Sequence, residues 1–259
     1  MGAPFAYSMD TSRGLHLGVQ ALSSGQWAGL YAVTPNTPST LYHAVLALDS
    51  GSLASDAFNT GLYVQTANGL INYVTCVGVL TSSGPIWEVV RSTGDNVHAT
   101  SFETLWIDTS GGQPLSRDCT IITNGSNFLQ VYLDGSSVYS SSSLNLQMPS
   151  PFNAYLEVQS STPSGMLFSS YKDYYSTSSQ FISVTGAPVG DVVKIVSSGS
   201  GNEIARAIVG SDGTAQLDVG AFHMPLAGSV QVFAADGKNV VSSGDNTLWA
   251  GDVYSMRGA

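Results

Sequence analysis

Residues 131–141 read VYLDGSSVYSS, and this stretch indicates the fold class of the chain. Asp134-Gly135 stands between two segments in which apolar and polar residues alternate. An Asp-Gly pair in that setting is typical of a tight β-hairpin turn. The stretch FAADGKNVV at 233–241 repeats the device with Asp236-Gly237. Both stretches therefore predict antiparallel strands joined by short turns.

The β pattern extends through almost the whole chain. Short runs rich in Val, Tyr, Phe, Ile and Thr alternate with clusters of Gly, Ser, Asn, Asp and Pro. We expect strands in HAVLALD, GLYVQT, INYVTCVGV, IWEVVR, FETLWID, CTIIT, FLQVYLD, SVYSS and FNAYLEVQ, and, nearer the C-terminus, in FISV, DVVKIV, EIARAIV, TAQLDV, SVQVFA, NVV and DVYSM. The weakly charged segment YYSTSSQ at 174–180 separates the two groups. The sequence predicts an all-β protein with a large sandwich over 1–175 and a small Ig-like β-sandwich over 176–259.

Composition and charge narrow the class of function. The 259 residues carry a net charge of −10 and only eight Lys and Arg, which are scattered along the chain. No basic cluster could neutralise a run of phosphates, so we expect no nucleic-acid partner. No apolar run approaches the ~18 residues of a membrane span. The start MGAPFAYSMD has neither a basic nor an apolar signal region. We expect the mature segment of an extracellular or cell-surface protein, with a cytoplasmic protein as the alternative.

The two cysteines leave two interpretations open. Cys76 lies in YVTCVGV and Cys119 in RDCTII, and both runs are strand-like. A disulfide between them would stabilise the fold by about 4 kcal/mol in the chain-entropy model. Alternatively, both are buried thiols without chemical function.

Period-two alternation separates two faces on three of the predicted strands. One face is apolar and predicts the core: Leu62, Val64, Leu129, Val131, Leu133, Phe152, Ala154, Leu156 and Val158. The other face is aromatic and polar: Tyr63, Gln65, Gln130, Tyr132, Asn153, Tyr155, Glu157 and Gln159. Aromatic rings stack on the apolar faces of sugars, and amides bridge hydroxyl groups. If the strands are neighbours, this face predicts a carbohydrate or surface-glycan ligand. The alternative is an ordinary outer surface or a contact between domains.

A family resemblance follows from the hairpin and the strand after it. NFLQVYLDGSSVYSSSSLNL at 127–146, followed by FNAYLEVQSS at 152–161, resembles the concanavalin A-like jelly roll of legume-type lectins, laminin G modules and several glucanases. The resemblance covers about residues 3–175. It implies a jelly-roll sandwich and is compatible with both binding and catalysis, because this fold hosts both.

Catalysis by a glycosidase requires two carboxylates on either side of the scissile bond. The laminarinase-type motif Glu-x-Asp-x-x-Glu is missing from the sequence, so any pair must be assembled by the fold. The candidates for such a pair are Glu157 and Glu88. Glu103 and Asp108 lie five positions apart and face opposite sides of a regular strand.

A second, fainter resemblance is to the glutamic peptidases, which use a Gln-Glu pair on a related sandwich. FNTGLYV at 58–64 has Asn59 where their Gln stands, and NAYLEV has Tyr155 at the expected acid. Both departures fall on the catalytic positions.

Metal ligands are sparse in the sequence. STGDNVHATSFE at 92–103 brings Asp95 and Asn96 close to His98. Legume-type lectins bind calcium with a comparable loop, and Asp95 and Asn96 are the candidate ligands of a structural calcium. We expect no other cofactor.

The sequence thus favours a non-catalytic extracellular surface or adhesion module that binds carbohydrate. A glycoside hydrolase or lyase that uses a carboxylate pair on the same sheet face is the first alternative. A self-assembling subunit of a surface layer or filament is the second, because exposed strand edges can pair between copies. A glutamic-peptidase-like enzyme is the third.

Overall fold

The structure is a computed structural model that divides the chain into two compact units, residues 1–176 and 177–259. It describes residues 5–10, 14–21, 23, 27–32, 41–49, 58–66, 72–94, 99–149, 152–160, 165–177, 181–219 and 226–256. These residues form strands, turns and irregular segments, so the fold is all-β. No helix among them is long and apolar enough to cross a membrane.

The first unit is a sandwich of two antiparallel sheets. Its strands are β1 (Phe5–Asp10), β2 (Gly14–Ala21), β3 (Trp27–Ala32), β4 (Leu41–Leu48), β5 (Phe58–Thr66), β6 (Tyr73–Thr81), β7 (Gly84–Gly94), β8 (Ala99–Asp108), β9 (Ser116–Thr123), β10 (Leu129–Leu133), β11 (Ser136–Ser141), β12 (Phe152–Ser160) and β13 (Gly165–Thr177). The seven-stranded sheet has the order β1-β2-β13-β4-β9-β10-β11, and the six-stranded sheet has the order β3-β12-β5-β6-β7-β8. Strands distant in the chain are neighbours in both sheets, as expected for the predicted jelly-roll sandwich.

The core lies between the two sheets and contains the side chains that the alternation predicts to point inward. Phe152, Ala154, Leu156 and Val158 of β12 belong to one buried cluster with Leu62 and Val64 of β5. Leu129, Val131 and Leu133 enter the same cluster from the opposite sheet. Because one side of each sheet is buried, a shift of one residue in register would expose this whole set of side chains.

The described residues of the second unit form eight short strands. They are β14 (Phe181–Thr185), β15 (Val192–Ser197), β16 (Glu203–Ile208), β17 (Thr214–Asp218), β18 (Leu226–Phe233), β19 (Asn239–Ser242), β20 (Asn246–Leu248) and β21 (Val253–Ser255). One sheet has the order β17-β14-β21, in which β14 and β21 run parallel. The other has the order β16-β15-β18-β19, with β20 also paired to β18. The Ig-like topology remains a prediction.

Both Asp-Gly hairpins form, with different turns. Asp134 and Gly135 both have positive φ, 51° and 74°, as the two-residue turn between β10 and β11 requires. At the second hairpin Gly237 has a φ of 84°, whereas Asp236 is not in the left-handed region. Lys238 accepts a backbone hydrogen bond from Ala234 there, so this turn is longer than the first.

Among the strands that the structure describes, the sequence patterns missed five: β1, β2, β3, β13 and β20. In β2 and β3 the alternation is present, but glycines stand at outward positions and weaken the β signal. β13 contains a positive φ of 51° at Asp173, and Tyr174 after it packs against the core. An irregularity of this kind breaks the period on which the strand prediction depends.

Cys76 and Cys119 are free thiols buried in the core. They come from opposite sheets, since Cys76 lies on β6 and Cys119 on β9, and the two thiols are hydrogen-bonded to each other. Burial, together with the neighbouring Cys76, raises the pKa of the Cys119 thiol. A protonated, buried thiol reacts slowly, because the thiolate is the nucleophile.

We therefore expect neither thiol of the folded protein to react with Ellman's reagent at pH 8. Unfolding in guanidinium chloride without a reductant should release two reactive thiols per chain. Release of none under the same conditions would show that Cys76 and Cys119 are joined as a disulfide.

Candidate functional site

The candidate site lies on the outer face of the six-stranded sheet, where β12 pairs with β5. Tyr155 stands opposite Tyr63, and Asn153 stands opposite Gln65. Six of the eight predicted face residues share this face: Tyr63, Gln65, Asn153, Tyr155, Glu157 and Gln159. Their side chains point away from the core, because the residues between them point into it.

The prediction that β10 contributes side chains to this face is wrong. Gln130 and Tyr132 lie on β10, which belongs to the seven-stranded sheet between β9 and β11. Their alternation matches that of β5 and β12, but alternation carries no information about which sheet a strand joins. Gln130 and Tyr132 therefore cannot share the face of Glu157.

Tyrosines form the centre of the face. The rings of Tyr63 and Tyr155 are stacked, with centroids 4.7 Å apart and planes 12° from parallel. Tyr73 of β6 meets Tyr63 edge-on at 5.4 Å. Stacked and edge-to-face pairs of this kind contribute roughly 0.5–1.5 kcal/mol beyond the area they bury. Tyr63 and Tyr155 are each only 7% exposed, so the stack forms a rigid base.

Glu157 stands between two glycines. Gly29 of β3 is its partner on one side, and Gly61 of β5 is its partner on the other. The ring of Tyr63 leans over Gly61, since a Cβ on this glycine would lie 2.6 Å from the ring. The Tyr63 hydroxyl then donates a hydrogen bond to the Glu157 carboxylate.

The environment of Glu157 shifts the pKa of its carboxyl towards neutral pH. Its side chain is buried at 8% exposure. Desolvation raises the pKa of Glu157 to about 7, while the hydrogen bond from Tyr63 acts in the opposite direction. Burial disfavours the charged form, and here this effect outweighs the hydrogen bond. Glu157 is therefore a carboxyl that can donate as well as accept hydrogen bonds near neutral pH.

The backbone of Glu157 is tied to the opposite sheet. The Tyr171 hydroxyl, from β13, donates a hydrogen bond of 2.6 Å to the Glu157 carbonyl oxygen. It accepts one of 2.7 Å from the Thr60 hydroxyl of β5. All three groups are buried, so this link between the sheets is shielded from water. It fixes the position of β12 at the residue that carries the carboxyl.

Trp27 lies at the edge of the face and is a site residue that sequence reasoning missed. It stands opposite Gln159, and a Cβ on Gly29 would lie 3.6 Å from its indole. Its side chain is 48% exposed. The outward positions Trp27 and Gly29 in WAGLYA would have suggested it, but β3 was not predicted as a strand. Tyr73 was missed because its strand neighbours were unknown.

The register does not support the hypothesis of a Glu157–Glu88 catalytic pair. Glu88 is paired with Val77 of β6, Val77 with Gly61, and Gly61 with Glu157. Three strand spacings separate the two glutamates, or roughly 14 Å. Side chains stand about perpendicular to a sheet, so this exceeds the roughly 5–9.5 Å between glycosidase carboxyls. Desolvation raises the pKa of Glu88, which is half-buried.

Glu103 and Asp108 face the same side of β8, contrary to the expectation from their spacing. Glu103 is paired with Arg91 and Asp108 with Trp87, because the register shifts between Val89 and Val90 of β7. A bulge inserts one extra residue and reverses the parity beyond it.

Both of these carboxylates are engaged by arginines. Arg91 lies 2.6 Å from Glu103, and Arg117 lies 3.7 Å from Asp108. Serine hydrogen bonds further hold the pKa of Asp108 below its ordinary value. Glu103 and Asp108 are thus each paired with an arginine of the same unit.

The proposed calcium ligands Asp95 and Asn96 lie outside the described residues. Among the residues that are described, no group of three or more His, Cys, Asp or Glu side chains could hold a metal ion. A structural calcium at Asp95 and Asn96 remains a prediction.

No protein-family model matches the sequence, and no curated protein matches it either. Three similar solved structures illustrate the fold. A carbohydrate-binding module, CBM66 from Bacillus subtilis, has 7% identity and a TM-score of 0.43, covering 67% of this chain and 92% of its own. The GH16 protein of the Bacteroides ovatus mixed linkage glucan locus has 8% identity and a TM-score of 0.48, covering 66% and 84%. An alginate lyase from Pseudomonas aeruginosa has 14% identity and a TM-score of 0.43, covering 66% and 85%. At such values the similarity carries no argument about function, which must come from the site.

The pKa of Glu157 predicts a pH-dependent stability. The pKa is about 7 in the folded protein against an ordinary 4.5, so the folded protein retains a proton that the unfolded chain releases in this interval. The resulting stabilisation is complete below pH 4.5 and is lost as the pH rises through 7; it amounts to roughly 3 kcal/mol.

Glu157→Gln removes this titration and nothing else that titrates. The free energy of unfolding of the variant minus that of the wild type should therefore rise by roughly 3 kcal/mol from pH 4 to pH 8. Urea unfolding followed by tryptophan fluorescence measures both proteins at each pH. A difference that stays constant with pH would contradict the raised pKa.

Proposed function

We propose that the outer face of the six-stranded sheet binds carbohydrate and does not catalyse a reaction. The observation that carries the proposal is the Tyr63–Tyr155 stack beside Glu157, with the half-exposed indole of Trp27 at the edge. This arrangement combines a rigid aromatic base, one hydrogen-bonding carboxyl and one accessible ring.

The accessible groups of the face suit a sugar. Gln65, Asn153 and Gln159 are partly exposed around the buried stack. An amide offers donors and acceptors to adjacent hydroxyls, and the Trp27 ring offers an apolar surface. A ligand would therefore rest against Trp27 and bond to the amides, while the tyrosine stack holds these groups in position. Binding to a glycan outside the cell is also consistent with the low proportion of charged residues in the chain, 10%.

We infer the absence of catalysis from the number of carboxylates on the strands around Glu157. Strands β3, β12, β5 and β6, as described, contain a single carboxylate, Glu157. Hydrolysis of a glycosidic bond by the usual route needs two, on opposite sides of the bond.

One observation favours an enzyme as the second candidate. Glu157 has a pKa of about 7 and accepts a hydrogen bond from Tyr63. General acids and bases work best with a pKa near the operating pH, and perturbed carboxyls mark many active sites. A lyase, or a hydrolase that obtains a second group from its substrate, could use Glu157 in this way.

Binding should depend on the shape of the face as well as on its functional groups. In Gly61→Ala the new Cβ would lie 2.6 Å from the Tyr63 ring, so this ring must move. The shape of the face then changes, and binding should weaken. Removal of the half-exposed ring in Trp27→Ala should weaken binding by about tenfold. A glycan array, followed by calorimetry on its hits, measures both variants.

Matched controls are available in the same unit. Gly111→Ala adds a Cβ where nothing lies within 4 Å, and Leu115→Ala removes an apolar side chain that is 50% exposed. Both should bind as the wild type does. Binding that is unchanged in both Gly61→Ala and Trp27→Ala would place the glycan elsewhere.

Glu157→Gln distinguishes the binder from the enzyme. The amide retains the shape and the hydrogen-bonding capacity of the protonated carboxyl, so a binder should lose at most a few-fold in affinity. Array hits incubated with the wild type should remain uncleaved, as judged by mass spectrometry. Cleavage by the wild type that disappears in Glu157→Gln would replace the binding proposal by the enzyme.

A further inference from the structure

A groove of about 750 Å³ lies on the outer face of the seven-stranded sheet, on the opposite side of the sandwich from Glu157. It crosses five adjacent strands, β1, β2, β13, β4 and β9, because each of them contributes a lining residue. Four strand spacings give a length of roughly 19 Å. The volume falls within the roughly 300–1,000 Å³ of ligand sites.

Small side chains create the floor of the groove. Ser8 of β1 is paired with His16 of β2, and His16 with Ser170 of β13. Ala47 of β4 and Ser116 of β9 are paired with each other and continue the floor. Four of these five side chains have no more than two heavy atoms beyond Cα, so the sheet surface is depressed along this row.

An aromatic platform forms one wall. Phe168 of β13 is paired with Gly18 of β2, and a Cβ on this glycine would lie 2.8 Å from the ring. The ring can therefore lie over the sheet only because position 18 is glycine. Phe168 is 41% exposed, which leaves ring surface open to a ligand. A half-exposed ring held against the sheet is suited to stacking on a sugar.

Opposite charges line the two sides of the groove. Asp49 stands beside Phe168, since its backbone N–H donates a hydrogen bond to the Phe168 carbonyl oxygen. The Asp49 carboxylate lies 3.7 Å from Nδ1 of His16. Lys172 lies two residues beyond Ser170 on β13, on the other side of the floor. The groove thus offers an acceptor and a donor without a strong net charge, which favours a neutral, hydroxyl-rich ligand over an anion.

We propose that this groove is a second saccharide site that binds a linear stretch of a neutral glycan, with one sugar ring stacked on Phe168. Hydroxyls of the chain bond to Asp49 on one side and to Lys172 on the other, and the serine hydroxyls of the floor face the chain from below. The proposal does not rest on the function of the Glu157 face, because the two sites share no residue.

Three variants test the site. Phe168→Ala removes the platform, Gly18→Ala displaces it, and Ala47→Leu fills the floor from an outward position. Each should weaken the binding of at least one neutral linear oligosaccharide by about tenfold or more, measured by calorimetry on hits from a glycan array. Gly111→Ala and Phe102→Ala, which alters an exposed ring on β8 of the other sheet, are the matched controls.

The outcomes separate the two sites. A neutral glycan whose binding falls in the groove variants and persists in Gly61→Ala and Trp27→Ala supports the groove alone. The reverse pattern supports the Glu157 face and overturns the groove. If the array contains no neutral glycan that depends on Phe168, or only acidic glycans that do, the proposal is wrong. Urea unfolding midpoints check that each variant is folded, and Lys172→Ala, at an exposed position, replaces any variant that is not.

Discussion

The pairing of β12 with β5 is the constraint on which the core and the candidate site both depend. The register that points Phe152, Ala154, Leu156 and Val158 into the core also points Tyr155 and Glu157 out of it. A slip of one residue would exchange the two sets, burying a carboxyl among aliphatic side chains. The hydrogen bond from the Tyr171 hydroxyl to the Glu157 carbonyl adds a second restraint at the same residue. The stability of the sandwich thus fixes the geometry of the face.

A glycine in close contact with an aromatic ring recurs in this sandwich. Gly61 accommodates Tyr63, Gly18 accommodates Phe168, and in the core Gly78 accommodates Trp87, whose ring would lie 2.8 Å from an added Cβ. A glycine in a strand weakens it, since it loses more backbone entropy on folding and packs no side chain. Contact with the ring covers the exposed backbone and offsets part of that cost. The contact between glycine and ring therefore stabilises the strands and sets the tilt of each ring.

The two faces of the sandwich differ in how they present polar groups. At Glu157 desolvation dominates and raises the pKa of the carboxyl to about 7, so it is partly protonated near neutral pH, and it lies beside the tyrosine stack. In the groove across β1, β2, β13, β4 and β9 the charged groups are more exposed, and opposite signs are set apart by a floor of small side chains. The buried Glu157 face is rigid but offers a ligand little contact area, whereas the open groove offers more contact area. For a protein that binds a long polymer, both features on one sandwich would allow two chains to be held.

Sequence patterns alone correctly predicted the fold class, the hairpin at Asp134-Gly135 and the inward side chains of β5, β10 and β12. These features are local: turn chemistry depends on two residues, and alternation on a single strand. The three-dimensional fold was needed to place β10 in the sheet opposite to β12, which removed Gln130 and Tyr132 from the site. This fold also left Glu88 three strands from Glu157. It also placed Trp27 and Tyr73 on the same face as Glu157 and formed the groove beside Phe168. Strand order follows from the packing of two whole sheets and from long connections, and neither leaves a pattern within one strand.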